Sequence, residues 1–354
     1  MSAAARTYLV TGVAGFIAAR VAELLVAAGH RVVGIDNLND YYDVRLKDHR
    51  LGRLLGRPAV RPDHAGRSAF ADARQPIADA GGAFTFQALD VEDRDGVDAL
   101  LAAHRFDAVF HLAARAGVRA SLAAPHAFLA TNATGALNVL EAMRRHGLRK
   151  LVLASTSSIY AGCPLPYRED QPVGTPLSPY AASKQAAELL AYSYHRLHGL
   201  DVSVLRYFTV FGPAGRPDMS PFRFIEAVIE GRPLEIHGDG TQSRDFTYVD
   251  DIARGTVLAA RPLGYEIVNL GGGRRPVALN DAIALIERFA GRTARRVHRP
   301  FHAADVAETA ADIAKAERLL DWRPEVGVEE GFRQTVEWHL AQREWLRQLD
   351  SGAS

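Results

Sequence analysis

Residues 7–18 constrain the fold more than any other stretch of the chain. Thr7-Tyr8-Leu9-Val10-Thr11 reads as a short buried strand and Gly12-Val13-Ala14-Gly15 as a glycine turn; from Phe16 onward a helix is predicted, its apolar positions including Ile17, Val21, Leu24 and Leu25. Strand, glycine turn and helix in immediate succession open a doubly wound α/β sheet. Gly12 and Gly15 let backbone N–H groups approach a pyrophosphate, and the helix start at Phe16 and Ile17 adds partial positive charge. Where such turns carry a third glycine this chain has Ala18, a position that serves helix-on-strand packing. Arg31-Val32-Val33-Gly34-Ile35-Asp36 then reads as a second strand that closes on a carboxylate, with Asn37 next. Asp36 is placed to accept hydrogen bonds from an adenosine ribose and would repel a 2′-phosphate, so the expected cofactor is NAD rather than NADP.

At 354 residues and 48% hydrophobic, the chain suits one large α/β domain or two unequal ones. A formal net charge of +1 gives no basic excess, so neither nucleic acid nor an anionic membrane is an expected partner. No apolar run approaches the length of a membrane span. The predicted strand at Thr7 leaves no room for a signal peptide's apolar region, and a cytoplasmic location is expected. Cys163 is the one cysteine, which excludes an intramolecular disulfide and a cysteine-based zinc site, and no metal is expected.

Further strands are predicted at 83–89, 107–112, 151–154, 202–207 and 265–270. The second group of candidate residues lies where these strands end. Asp90 and Val91 are suited to an adenine edge, and the small residues of Leu112-Ala113-Ala114 let a cofactor lie close. His111 reads as structural. A long amphipathic helix is predicted over 125–146, bearing Asn132, which we place on the cofactor side. Residues 56–82, rich in Gly, Pro, Ala and Arg, read as a long loop or partly disordered insertion.

The strand at 151–154 runs into Ser155-Thr156-Ser157-Ser158, and Tyr180 and Lys184 stand four apart at the start of a helical pattern. Hydroxyl, phenol and amine at the carboxyl ends of strands form a group able to move a proton: an ammonium beside a phenol favours the phenolate. After Tyr207 the chain changes character, with a loop at 208–217 and a short helix at 222–230, and a second lobe is expected to begin there. Arg244 offers a cation suited to a diphosphate or, equally, to a surface ion pair. Asp250 and Asp251 read as caps of the following helix. Helices are predicted at 279–289, 311–320 and 329–349.

Together these residues resemble the extended short-chain dehydrogenase/reductase family, and within it the UDP-sugar 4-epimerases, over residues 7–338. Asp36-Asn37-Leu38-Asn39-Asp40-Tyr41-Tyr42-Asp43, Ala116-Gly117-Val118-Arg119, Phe208-Thr209-Val210-Phe211-Gly212-Pro213 and Gly215-Arg216-Pro217-Asp218-Met219 look like the UDP-glucuronate 4-epimerases of that group. The resemblance implies Thr156 as the catalytic hydroxyl, Tyr180 as the base and Lys184 as its lysine. It puts carboxylate-facing groups at Ser157, Ser158, Thr209 and Arg216, the diphosphate arginine at Arg244 and a uridine-ribose ligand at Asp305. The implied architecture is a Rossmann-type doubly wound parallel sheet with a smaller C-terminal α/β substrate lobe. Residues 1–207, with a return segment at about 245–270, form the NAD-binding domain, and residues 208–244 with 271–354 the nucleotide-sugar lobe. The implied reaction inverts the 4′-carbinol of UDP-glucuronate through a transient 4-keto sugar, with tightly held NAD recycled.

The chain departs from the family's pattern at Ala18, in the length of 56–82 and at Ala304, where a glycine usually precedes the aspartate. A 4,6-dehydratase would carry Asp-Glu after the catalytic threonine; Ser157-Ser158 argues against dehydration. A UDP-glucuronate decarboxylase, which shares the first step, and a UDP-glucose 4-epimerase are the enzymatic alternatives. A sensor or scaffold that binds NAD without turnover is the non-enzymatic one. A homodimer through the helices at 125–146 and 180–198 is expected.

Overall fold

The alternation of apolar strands and amphipathic helices is realised in a computed structural model that describes residues 4–57, 67–71, 75–301 and 306–349. The first half of the chain runs β1 (Thr7–Thr11), α1 (Phe16–Ala27), β2 (Arg31–Asp36), α2 (Val44–Leu54), β3 (Ile77–Ala78), β4 (Phe84–Ala88), α3 (Arg94–Ala103) and β5 (Ala108–His111). It continues with α4 (Val118–Ala123), α5 (Pro125–Leu129), α6 (Gly135–Arg145), β6 (Lys150–Thr156), α7 (Pro179–His198) and β7 (Asp201–Tyr207). The second half comprises β8 (Thr209–Phe211), α8 (Ser220–Glu230), β9 (Pro233–His237), β10 (Ser243–Arg244), β11 (Phe246–Tyr248), α9 (Val249–Leu258) and β12 (Tyr265–Leu270). It closes with β13 (Val277–Ala278), α10 (Leu279–Ala290), β14 (Arg295–Arg299), α11 (Ala314–Leu320), α12 (Val328–Ala341) and α13 (Arg343–Leu346).

Eight strands form the main sheet in the order β12-β7-β6-β5-β1-β2-β4-β3, parallel throughout except for β3. The chain builds outward from β1 through β2 and β4, then returns to lay β5, β6 and β7 on the other side. The switch between β1 and β5 opens a crevice at their carboxyl ends, where such sheets bind ligands. Helices cover both faces. One core packs α1, α9 and α11 on the sheet through Val21, Leu25, Ile252 and Leu320, and the other packs α3, α6 and α7 through Leu100, Val139, Met143 and Ala187. This double cover is why β5 and β6 are buried at every residue and read as continuous apolar runs.

The second lobe encloses its own core of Phe224, Ile225, Ile283, Phe332 and Val336 between α8, α10, α12 and the paired strands β8–β11 and β9–β14. Residues 208–217 thus contain a strand, β8, where a loop is expected. Its three residues are too few to show a period. Residues 314–322 lie with the main sheet rather than the lobe: Trp322 is fully buried in the main core and its indole N–H donates to the Asp251 carbonyl at 2.8 Å. Apolar spacing marks a buried face without marking which core that face joins.

Other elements also differ from the sequence pattern. The helix predicted over 125–146 is α5 and α6 joined through a π turn at Ala130–Thr134, within which Asn132 is turned inward. In the 56–82 stretch, Ser68 donates to the Asp48 carboxylate, Phe70 packs edge-on against Phe86, and β3 adds an antiparallel strand to β4. Residues 58–66 and 72–74 lie outside the described residues. Asp250 and Asp251 sit inside the first turn of α9 rather than at its cap. Asp250 pairs with Arg20 at 2.7 Å, and Asp251 accepts the N–H groups of Glu325 and Val326. Among the described residues no helix is long and apolar enough to cross a membrane, and no cluster of metal-ligating side chains occurs.

Candidate active site

The crevice at the switch point is built from the turn after β1. Gly12 adopts φ +70°, and a Cβ added there would lie 2.7 Å from the Ala113 Cα. A methyl would therefore both strain the turn and strike the loop after β5. Gly15 donates to the Gly12 carbonyl at 2.8 Å, tightening the turn ahead of α1. Ala18 is buried in the helix–sheet packing and holds its methyl without opening the core. At the end of β2, Asp36 accepts the Ala14 N–H at 3.2 Å and the Leu38 N–H at 2.8 Å, with the Lys47 ammonium 3.7 Å away. Asn37 donates to Asp90 at 2.8 Å and so ties the end of β2 to the loop after β4.

The second half of the site comes from β6 and α7. Thr156 ends β6 in extended backbone, and its hydroxyl accepts the Ser158 N–H at 3.1 Å. Ser178 caps α7 by accepting the Ala181 N–H at 3.2 Å, and Pro179 holds the first helical position. Tyr180 and Lys184 therefore project from one face of the first turns. Burial pushes the Tyr180 phenol above its ordinary value, countered in part by the Thr156 hydroxyl and the Arg216 charge. The expected fall is thus outweighed by burial, which also draws the Lys184 ammonium down to about 8, with Glu188 opposing. The groups that favour the phenolate are Thr156 and Arg216.

Glu188 lies one turn beyond Lys184 and is itself buried. It accepts from Ser155 of β6 and takes two N–H groups of Arg206 on β7, at 3.0 and 2.7 Å. His111 is buried and neutral, drawn down to about 3 by burial and by the Lys184 charge, and it bonds Thr11 at 2.9 Å. The structural reading of His111 matches these surroundings.

One cleft is lined by Gly12, Gly15, Phe16, Ile17, Asp36, Asn37, Asp90, Val91, Leu112, Ala113 and Ala114, and also by Thr156, Ser157, Ser158, Tyr180, Lys184, Thr209 and Arg216. Residues expected to serve a dinucleotide, a proton transfer and a carboxylate thus share a cavity of about 360 Å³. Two candidates are placed otherwise, and a third falls outside the described residues. Asn132 sits behind the wall, accepting the Arg115 N–H at 2.8 Å and donating to the Arg115 carbonyl and to Ser183, both at 2.9 Å. Arg244 lies outside the lining, with its guanidinium donating to the Ser243 carbonyl at 2.8 Å and the Ala307 carbonyl at 3.4 Å. Asp305 lies outside the described residues.

The lining also holds Tyr41, Lys47, Arg115 and Met219, to which the sequence pattern assigns no role. Tyr41 donates to the Ala116 carbonyl at 2.9 Å, and the guanidinium carbons of Arg115 and Arg216 stand 5.9 and 5.7 Å from its ring centre. Arg216 also donates to the Ala116 carbonyl at 2.7 Å and, through Nε, to Asp218 at 3.0 Å. The signal available in the sequence was the run Asn39-Asp40-Tyr41-Tyr42-Asp43, too polar for a core.

Residues 8–271 match the NAD dependent epimerase/dehydratase family. A UDP-glucuronate 4-epimerase of Thermodesulfobacterium geofontis is 52% identical over 342 residues, covering 97% of this chain and 98% of that protein. Among solved structures, UDP-glucuronic acid 4-epimerase from Bacillus cereus in complex with UDP-glucuronic acid and NAD superposes with a TM-score of 0.82 at 32% identity, over 95% of this chain and 99% of that one. UDP-glucose 4-epimerase from Thermotoga maritima with UDP-glucose gives 0.80 at 30% identity, over 96% and 99%. The chain belongs to the NAD dependent epimerase/dehydratase family.

The Lys184 environment makes a direct prediction. Its ammonium titrates near pH 8 instead of 10.5, and Glu188→Gln removes the charge that holds it up, so the midpoint falls further. Carbon NMR of lysine labelled at Cε reads this midpoint. Titration above pH 10 in the parent protein, or a midpoint unmoved by the substitution, would contradict it.

Proposed function

We propose that this family member inverts the C4 carbinol of UDP-glucuronate to give UDP-galacturonate. The observation that carries the reading is the meeting, in one cleft, of the Tyr180–Lys184 pair with Arg216, whose charge reaches the Tyr180 phenol. The 52% identical relative bears the same activity in its name, and the Bacillus cereus structure holds UDP-glucuronic acid with NAD.

The cradle fits NAD. A Cβ at Gly12 would close the space against Ala113, Asp36 stands at the end of β2 where a ribose would lie, and Ala113 and Ala114 keep the floor low. When bound, NAD supplies a hydride acceptor for C4 and then a donor for its return. The chain's own residues manage the proton and the geometry. Tyr180 takes the 4′-hydroxyl proton as the carbon is oxidised, and Thr156 holds that oxygen. Lys184, one helical turn from Tyr180, would hold a ribose of the cofactor. Tyr180 returns the proton once the 4-keto sugar has presented its other face.

That 4-keto sugar is a β-keto acid and loses carbon dioxide when the bond to its carboxylate lies parallel to the carbonyl π orbitals. Arg216, with Ser157, Ser158 and Thr209, holds the carboxylate out of that alignment. Arg244 in this reading meets the nucleotide diphosphate by a movement of its guanidinium, and Asp305 meets the uridine ribose.

A homodimer is part of the proposal. Leu122 on α4, Leu129 on α5, and Leu189, Tyr192 and Leu197 on α7 are exposed although these helices pack side by side. Pairing with a second copy across a two-fold axis would cover them.

Purified protein given UDP-glucuronate and no added NAD should form UDP-galacturonate by proton NMR, and Tyr180→Phe should slow this by about 10²- to 10⁴-fold. A pentose product with carbon dioxide, or no conversion, would overturn the assignment. Light scattering at micromolar concentration should report twice the chain mass of 38.5 kDa, and Leu189→Glu with Leu197→Glu should halve it. A monomeric parent protein would contradict the dimer.

A further inference from the structure

We propose that Arg115 is a second cation for the substrate carboxylate and helps Arg216 select an acidic sugar over its neutral counterpart. The inference rests on the UDP-glucuronate reading above. The cations that line the cleft differ in their partners. Lys47 donates to the Asn39 carbonyl at 2.8 Å and stands beside Asp36, Lys184 feels Glu188, and Arg216 is forked onto Asp218. Arg115, among the described residues, pairs with no carboxylate, and its Nε is buried without a hydrogen-bond partner. A guanidinium held in a cleft with a donor unmet and no counter-charge is costly unless a bound anion completes it.

Its position is set by backbone. Asn132, turned inward by the π turn, clamps both the N–H and the carbonyl of Arg115, at 2.8 and 2.9 Å. The side chain therefore starts from a fixed point and reaches the Tyr41 ring, the same ring that Arg216 approaches. Arg216 commits Nε and Nη2 to Asp218 and also gives Nη2 to the Ala116 carbonyl. Its fork is spent, leaving Nη1 for an incoming carboxylate. Firm recognition of a carboxylate uses two or more donors in its plane, and Arg115 supplies those that Arg216 lacks.

A guanidinium takes carboxylate and phosphate alike, so the competing source of anion is the dinucleotide diphosphate; convergence with Arg216 favours the sugar carboxylate. The test compares Arg115→Gln and Arg115→Lys with the parent enzyme in three readouts: kinetics with UDP-glucuronate, calorimetric binding of UDP-glucose, and NAD released on denaturation. The expected result for Arg115→Gln is a rise of about tenfold or more in KM for UDP-glucuronate. Arg115→Lys should recover part of it, with UDP-glucose binding and NAD content within twofold of the parent. An unchanged KM, an equal loss for both sugars, or a fall in retained NAD would overturn the role of Arg115. A parent enzyme that leaves UDP-glucuronate unconverted would instead sink the underlying reaction.

Discussion

One buried carboxylate sets the geometry on which the site depends. Glu188 on α7 accepts from Ser155 of β6 and from Arg206 of β7, and Arg206 in turn lies over the Tyr160 ring at 4.6 Å. A buried ion pair of this kind adds little net stability, since both charges lose their water. What it does here is fix register. A helix can slide or rotate against an apolar sheet face at modest cost, but not while a carboxylate must meet donors from two neighbouring strands. With Glu188 pinned, Lys184 one turn earlier and Tyr180 two turns earlier face the end of β6, where Thr156 stands. The same carboxylate holds up the pKa of Lys184 against its burial. The position of the Tyr180–Lys184 pair and the charge of its lysine thus depend on one residue outside the pair.

The other half of the cleft obeys a steric constraint. At the switch between β1 and β5 the chain brings the Gly12 turn so close to the Ala113 backbone that position 12 has no room for a side chain. Backbone N–H groups can then face a ligand there, with a helix N-terminus behind them. The two halves meet because parallel strands end on one edge: β1, β2 and β4 deliver the cradle, β5 and β6 the floor and the hydroxyls.

Much of this was legible in the chain. The cradle, Asp36 and the Tyr180–Lys184 pair are local patterns, written in consecutive residues or at one helical spacing, and the parallel sheet follows from alternating strand and helix signals. What was not legible depends on contacts between distant segments. The π turn has no composition of its own; what it does, turning Asn132 inward to bond Arg115 and Ser183, rests on residues far away in the chain. Residues 314–322 carry an ordinary amphipathic pattern that fits either core. Tyr41 and Arg115 come from two loops that meet only across the crevice. The Tyr180 pKa is raised rather than lowered for a related reason, since burial depends on everything packed around the helix. Arg216 was legible as a cation, but its engagement with Asp218, which leaves work for Arg115, was not.

In the proposed reaction, oxidation and return at C4 occur within one cleft, with the proton handled by Tyr180 and the hydride never released. UDP-glucuronate carrying deuterium at C4, incubated with the protein in ordinary water without added NAD, tests it most directly. UDP-galacturonate with the deuterium still at C4 is the predicted product. Loss of the label to solvent, or inversion only when NAD is supplied in excess with dilution of the label, would contradict it.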